Sequence, residues 1–274
     1  MRLVLTGLLV IAVLCLGALN LHRFGGRYIL TDWDHEAVMV AEPHGPASKT
    51  VRVVFVGNSF TFRNDLPAML ANIATSDPDN TVRLEVKAFT YPDAHLGDLL
   101  TKTEALAWLR AHPADYVILQ DHSSWYETPQ LIQAATADAE RWRDALRTSN
   151  VTPLLFEVWS DGEGSDTYTN PQFCTYGSTP DADSDKAADQ TRILARDLEL
   201  AAVLVGSMFK KVQHIPDTPP LLAWDRHHAS VAGTYLAALV VYKTLTGKTG
   251  TTATYRPWGM SKHDADLLAQ ANSE

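Results

Sequence analysis

Disulfides, zinc motifs, basic clusters and repeats are all missing from this 274-residue chain. Its only cysteines are Cys15 and Cys174, and Cys15 lies within an apolar N-terminal run. The rest of the chain therefore holds one thiol and no internal disulfide, and must stand on a hydrophobic core. No CxxC or Cys/His spacing is present, which excludes a structural zinc module. The net charge is -9 and no lysine or arginine cluster appears, which excludes a nucleic-acid footprint. No self-similarity occurs at solenoid periods.

What is present begins at the N-terminus. Met1-Arg2 is followed by nineteen uncharged residues, 3–21, long enough to cross a bilayer and equally suited to a signal peptide. A cleavage site after Ala18 is weakened by Leu16, and Leu14 argues against a lipidated Cys15. His22, Arg23 and Arg27 flank the run as they flank a retained anchor. Residues 1–21 are thus expected to export the chain, which would be periplasmic, secreted or held at the membrane through residues 3–21. Residues 22–50 read as a spacer of scattered Gly, Pro, His and charge.

From residue 51 the pattern alternates. Strand-like runs occur at 51–57, 82–89, 115–120, 152–159 and 201–206, each apolar or β-branched enough for a buried strand. Between them lie helical patterns at about 64–74, 97–111, 130–147 and 186–200, with a last one at 229–247 ended by Gly247. Residues 160–185 read as one long polar loop, and 251–274 as a tail packing on the domain or trailing it. Such alternation predicts an α/β fold: a three-layer α/β/α sandwich on about five mostly parallel, doubly wound strands of flavodoxin type. The domain is expected over 51–250.

In such sheets, ligands bind outside the carboxyl ends of the strands. Ser59, in VGNSFTF, stands just past the first strand, Gln120 past the third and Trp159 past the fourth. A serine hydroxyl is a weak nucleophile and needs an imidazole, itself oriented by a third group. Asp225 and His228, three apart ahead of the last helix, have a spacing that lets the carboxylate reach one imidazole nitrogen while the other points outward. The plain alternative is a capping aspartate beside two surface histidines.

Taken together, VVFVGNSFT and DRHHASVAGTY resemble the two end motifs of the SGNH (GDSL-like) hydrolase superfamily, in the form of a bacterial GNSFT-type branch. The resemblance spans residues 51 to about 247. It implies a cofactor-free serine esterase with Ser59 as nucleophile, His228 as base and acid, and Asp225 as orienter, His227 being the competing histidine. For the oxyanion hole it implies the Ser59 N–H and a glycine N–H after the second strand, best matched by Gly97. The third donor, an asparagine in a G-x-N-D block, is replaced here by VILQDHSS, where Gln120 offers an amide on a longer stem and His122 an imidazole. Trp125, Trp159 and Tyr168, with Tyr126, Phe173 and Tyr176, are candidate pocket aromatics, and packing is their plainer role.

The implied partner is a small-molecule, glycan or lipid ester, with no nucleic acid. An acyltransferase would use the same three residues. A metal-dependent hydrolase would need Asp225, His227, His228, His214 and His122 to converge, without any H-x-H or H-E-x-x-H pair to support it. An inactive glycan-binding domain fits the missing G-x-N-D block. A glycosidase would draw on Asp93, Asp98, Asp121 or Glu157.

Overall fold

The computed structural model describes residues 38–173 and 175–274. The expected leader or anchor at 1–21, most of the spacer and Cys174 lie outside the described residues. Among the described residues, no helix is long and apolar enough to cross a membrane.

The chain builds a six-stranded sheet from β1 (Met39–Ala41), β2 (Lys49–Gly57), β3 (Val82–Thr90), β4 (Tyr116–Leu119), β5 (Thr152–Phe156) and β6 (Ala201–Val203). Its order is β1-β3-β2-β4-β5-β6. Every pair is parallel except β1 with β3. Without the antiparallel edge strand the order is that of the flavodoxin type, with its switch point between β2 and β4. Val53–Gly57 are buried without alternation because helices cover both faces.

Ten helices follow in chain order: α1 (Ser59–Phe62), α2 (Leu66–Ser76), α3 (Leu96–Lys102), α4 (Ala105–Ala111), α5 (Pro129–Leu146), α6 (Asp166–Thr169), α7 (Pro180–Leu198), α8 (Val205–Gln213), α9 (Val231–Thr246) and α10 (Lys262–Ser273), counted among the described residues. On one face α2 packs against α9, which also meets α8 and α10, while α3, α5 and α7 pack in series on the other. Side-chain caps place several starts: Asp65 accepts from Ala68 N, Thr128 from Leu131 N, Thr179 from Ala182 N and Ser230 from Gly233 N. Helix α9 is the core helix, buried almost all round from Gly233 to Tyr242.

Several expectations are corrected. The spacer is not all linker, since Met39–Ala41 pair with Val86–Leu84 to close one sheet edge and β2 already begins at Lys49. The helix expected over 97–111 breaks at Thr103, whose Oγ accepts from Ala105 N and starts α4 afresh. The polar loop is shorter than expected because Thr179-Pro180 already opens α7, and it carries α6 within it. The run at 201–206 divides, its first half forming β6 and its second opening α8. Of the two readings of the tail, packing on the domain is the one seen: it includes α10, with Leu268 and Asn272 fully buried.

Candidate active site

Ser59 opens α1 immediately after β2, and the turn that carries it is held from beneath. Asn58 is buried and caps α1 by accepting from Phe60 N at 3.1 Å. Its own N–H donates to Gln120 Oε1 at 2.9 Å, and its side-chain amide donates to Ala94 O at 3.0 Å. Gln120 Nε2 returns a hydrogen bond to Asn58 Oδ1 at 2.9 Å and donates also to the Asp121 carbonyl, while Thr61 Oγ1 donates to Gln120 Oε1 at 2.9 Å. This network ties the tips of β2, β3 and β4 together at the switch point. It leaves no room for a side chain at residue 57, where a Cβ would lie 2.5 Å from Gln120 Oε1.

The second half of the site comes from the turn between α8 and α9. Leu222 and Ala229 pair across it, and Arg226 adopts φ 57 to close it. Asp225 Oδ1 accepts the backbone N–H groups of His227 and His228 at 3.2 and 3.0 Å. Its Oδ2 faces His228 Nδ1 at 3.0 Å and Arg63 Nη1 at 2.9 Å. His228 Nε2 lies 2.8 Å from Ser59 Oγ. Asp225, His228 and Ser59 thus form one hydrogen-bonded line across 169 residues of chain, with each partner within catalytic reach.

The electrostatics of the line are polarised. Burial would raise the Asp225 carboxyl, but the His228 ring and the two backbone N–H groups outweigh it and hold it at about 2. His228 is pushed below the ordinary imidazole value by burial, helped by His227 and Arg63 and opposed by Asp225. A neutral imidazole beside an ionised carboxylate is the state that accepts a serine proton.

The neighbouring His227 turns the other way. Its Nδ1 lies 2.6 Å from Asp161 Oδ1, and its carbonyl accepts from Trp159 Nε1 at 3.0 Å. Beneath both histidines runs an aromatic stack: Phe60 lies on Trp159 at 4.2 Å between centroids, and Trp159 on Phe209 at 4.6 Å. Phe60 meets the edges of His227 and His228 at 5.0 and 5.7 Å. Nothing in the sequence pattern joined these three rings, which come from α1, the β5 exit and α8. A cleft of about 400 Å³ adjoins His227, lined among others by His122, Ser124, Trp159, Asp161 and Phe173.

Three expected site residues have other roles. Gln120 is fully buried and spends both amide hydrogens on Asn58 and Asp121, so it has no donor left for an oxyanion. Trp125 is a core residue set edge-on to Tyr126 and does not line the cleft. Tyr168 is buried beneath the loop and donates to Asp161 O and Asp183 Oδ2, supporting the cleft floor without lining it. Gly97 is the second residue of α3, where a Cβ would lie 2.5 Å from Asp138 Oδ2, which gives the glycine a packing reason.

The competing acid and metal arrangements do not assemble. Asp93 pairs with His122, Asp98 with Lys102, Asp121 with His95, and Glu157 caps α8 through Ser207 N. His214 pairs with Asp181. Among the described residues no group of three metal-ligating side chains is arranged to hold an ion.

A flavodoxin-type sheet that presents a serine to an oriented imidazole at its switch point defines a class of α/β protein, and solved structures of that class are similar to this chain. A scan against family profiles matches none, and no curated protein matches the chain. A DUF4886 family protein from Bacteroides uniformis superposes with a TM-score of 0.65 at 14% identity, covering 81% of this chain and 93% of that one. A Slackia heliotrinireducens protein, named provisionally as an SGNH hydrolase, does so with a TM-score of 0.57 at 26% identity, covering 71% and 98%. A variant of Axe2, an acetyl-xylooligosaccharide esterase from Geobacillus stearothermophilus, gives 0.54 at 15%, covering 77% and 99%. Among solved structures, the chain is thus similar to SGNH hydrolases, at 26% identity for the Slackia protein and in fold alone for the others.

Proposed function

We propose that the chain is a serine ester hydrolase that removes O-acetyl or other short acyl groups from a glycan outside the cytoplasm. The observation that carries this reading is the line from Asp225 through His228 to Ser59, at 3.0 and 2.8 Å. The similarity to Axe2, an esterase of acetylated xylo-oligosaccharides, supports the ester class. The apolar run at 3–21 supports delivery across the membrane.

In this mechanism His228 Nε2 takes the Ser59 proton as Oγ bonds to the acyl carbon, and Asp225 stabilises the imidazolium without itself being protonated. The oxyanion of the tetrahedral intermediate meets the Ser59 N–H, with the Gly97 N–H as second donor. The imidazolium gives its proton to the departing alcohol, leaving an acyl-Ser59 ester. Water then enters and gives a proton to His228 as its oxygen bonds to the acyl carbon; the acyl–Oγ bond breaks, the imidazolium returns the proton to Ser59 Oγ, and the acid leaves. Transfer to a sugar hydroxyl would follow the same course with that hydroxyl in place of water.

Activity-based labelling tests the reading. A fluorophosphonate probe should modify Ser59 in the purified domain, as read by peptide mapping, and should fail to do so in His228→Ala. p-Nitrophenyl acetate turnover should vanish in Ser59→Ala. Active protein that carries no label at Ser59 overturns the mechanism.

A further inference from the structure

The Asp-x-x-His turn carries a second imidazole that the triad leaves unused. His227 precedes His228, its ring stands at 85° to its neighbour's with centroids 4.6 Å apart, and a different carboxylate holds it. Asp161 Oδ1 takes its Nδ1 at 2.6 Å. Asp161 is itself fixed by a hydrogen bond from Thr167. His227 lines a cleft of about 400 Å³ one imidazole away from the base His228, and its side chain keeps 34% of its surface exposed.

The rest of that cleft is largely polar. Its lining includes the carboxylates of Glu127 and Asp161, the imidazole of His122, the hydroxyls of Ser124 and Thr167 and the half-exposed face of Phe173, with no lysine or arginine, while Asp183 is buried and accepts from Tyr126 and Tyr168. Carboxylate and hydroxyl acceptors beside an aromatic face match a ring bearing many hydroxyls: the O–H groups donate to the acids and the C–H face rests on the phenyl ring. A long acyl chain would find polar groups along its path.

We infer that the cleft is the subsite for the alcohol half of the ester, a sugar ring, and that His227, anchored by Asp161, donates a hydrogen bond from Nε2 to a sugar oxygen beside the scissile ester. This rests on the esterase reading above and adds the substrate class and the residue that selects it. With Nδ1–H committed to Asp161, Nε2 donates only from the imidazolium. The charges around the ring favour that form: burial opposes it, Asp161 and Asp225 outweigh burial, and Arg63 works against them. The same turn therefore offers one imidazole to take the serine proton and another to hold the sugar.

The test compares two esters. For an acetylated xylo-oligosaccharide relative to p-nitrophenyl acetate, the ratio of kcat/KM should fall about 10- to 100-fold in His227→Ala, the loss of one charge-assisted hydrogen bond. His227→Gln, which keeps a neutral donor, should recover part of it, and Asp161→Asn should lower it in the same direction. An unchanged ratio in both His227→Ala and Asp161→Asn overturns the inference, as does a partial recovery absent from His227→Gln in protein that melts like wild type. Calorimetric titration of Ser59→Ala with the same oligosaccharide is the second readout. Binding should appear, and should weaken about tenfold or more with His227→Ala added; no binding overturns the cleft as a sugar subsite. Failure of Ser59 to take the fluorophosphonate would instead sink the esterase reading and leave the calorimetric result to decide the cleft.

Discussion

His227 and His228 are consecutive in sequence, yet each is held by its own aspartate: Asp161 at 2.6 Å for the first, Asp225 at 3.0 Å for the second. The two rings consequently differ in proton affinity, His227 being raised and His228 lowered from the ordinary value of 6.5. Adjacent side chains leave a turn in different directions, and here one points toward Ser59 while the other borders the cleft.

In the proposed mechanism the lowered proton affinity of His228 sets the acid limb of the reaction. The base must be neutral to accept the serine proton, so activity is lost as pH falls through the His228 value. The midpoint of the acid limb of kcat/KM should therefore lie below 6.5. Arg63 contributes to the lowering through its charge. Arg63→Gln should move the limb to higher pH, as measured with p-nitrophenyl acetate across pH 4–8. A midpoint above 6.5 in the wild type would remove His228 as the base.

Asp225 has a folded value of about 2 against an ordinary 3.8. A depressed carboxyl stabilises the fold above its unfolded value, and that stability is lost as pH falls through the folded one. The stabilising effect should therefore fade between about pH 4 and pH 2. Asp225→Asn should flatten the acid side of the stability curve in thermal melts over that window. It should also lower kcat by roughly 10³–10⁴, because the amide orients the wrong imidazole tautomer. Activity near wild type in Asp225→Asn would show that His228 needs no carboxylate.

Gln120 is assigned to the scaffold, and its removal should register as lost stability. Gln120→Leu leaves Asn58 N–H and Thr61 Oγ1 without their acceptor and takes one of two donors from Asn58 Oδ1, all in a buried setting. Stranding several such groups should cost about 2–4 kcal/mol in urea unfolding. The variant should melt well below wild type and lose activity as the Ser59 turn loosens. Wild-type stability with an isolated loss in kcat would return Gln120 to the oxyanion hole.

The succession of strands along the chain, and the two motifs from which the candidate site was drawn, were readable because each rests on local chemistry. Apolar runs bounded by turn residues marked β2 to β5, and an aspartate three residues ahead of a histidine marked the turn before α9. The orientation of Gln120 was not readable. Its amide has the atoms of an oxyanion donor, and only the close approach of Asn58 and Thr61 decides that it faces inward. The stack of Phe60, Trp159 and Phe209 was hidden for a similar reason, since three separate elements supply one ring each. Helix α8 escaped notice because its first residues continue the apolar run of β6, and a short apolar run does not reveal where extended backbone ends. The Asp161 partner of His227 arises from a loop that carries no periodic signal at all.

Gly57 makes the most local demand on the sequence. Any Cβ at this position meets Gln120 Oε1 at 2.5 Å and also crowds the Thr61 hydroxyl. Gln120 has little freedom to give way, because its amide is committed to Asn58 on both sides. In Gly57→Ala the strain should pass into the turn, displacing Ser59 from His228 Nε2 by a fraction of the present 2.8 Å or more. Misplacement of a reacting group by about 1 Å costs on the order of 100-fold in rate. The expected result is a kcat lowered by about that factor with a smaller change in KM, a weaker fluorophosphonate label at Ser59, and a lower melting temperature. Full labelling and turnover in a well-folded Gly57→Ala protein would mean that the turn accommodates a methyl group, and that the buried amide network does not hold the serine in register with its base.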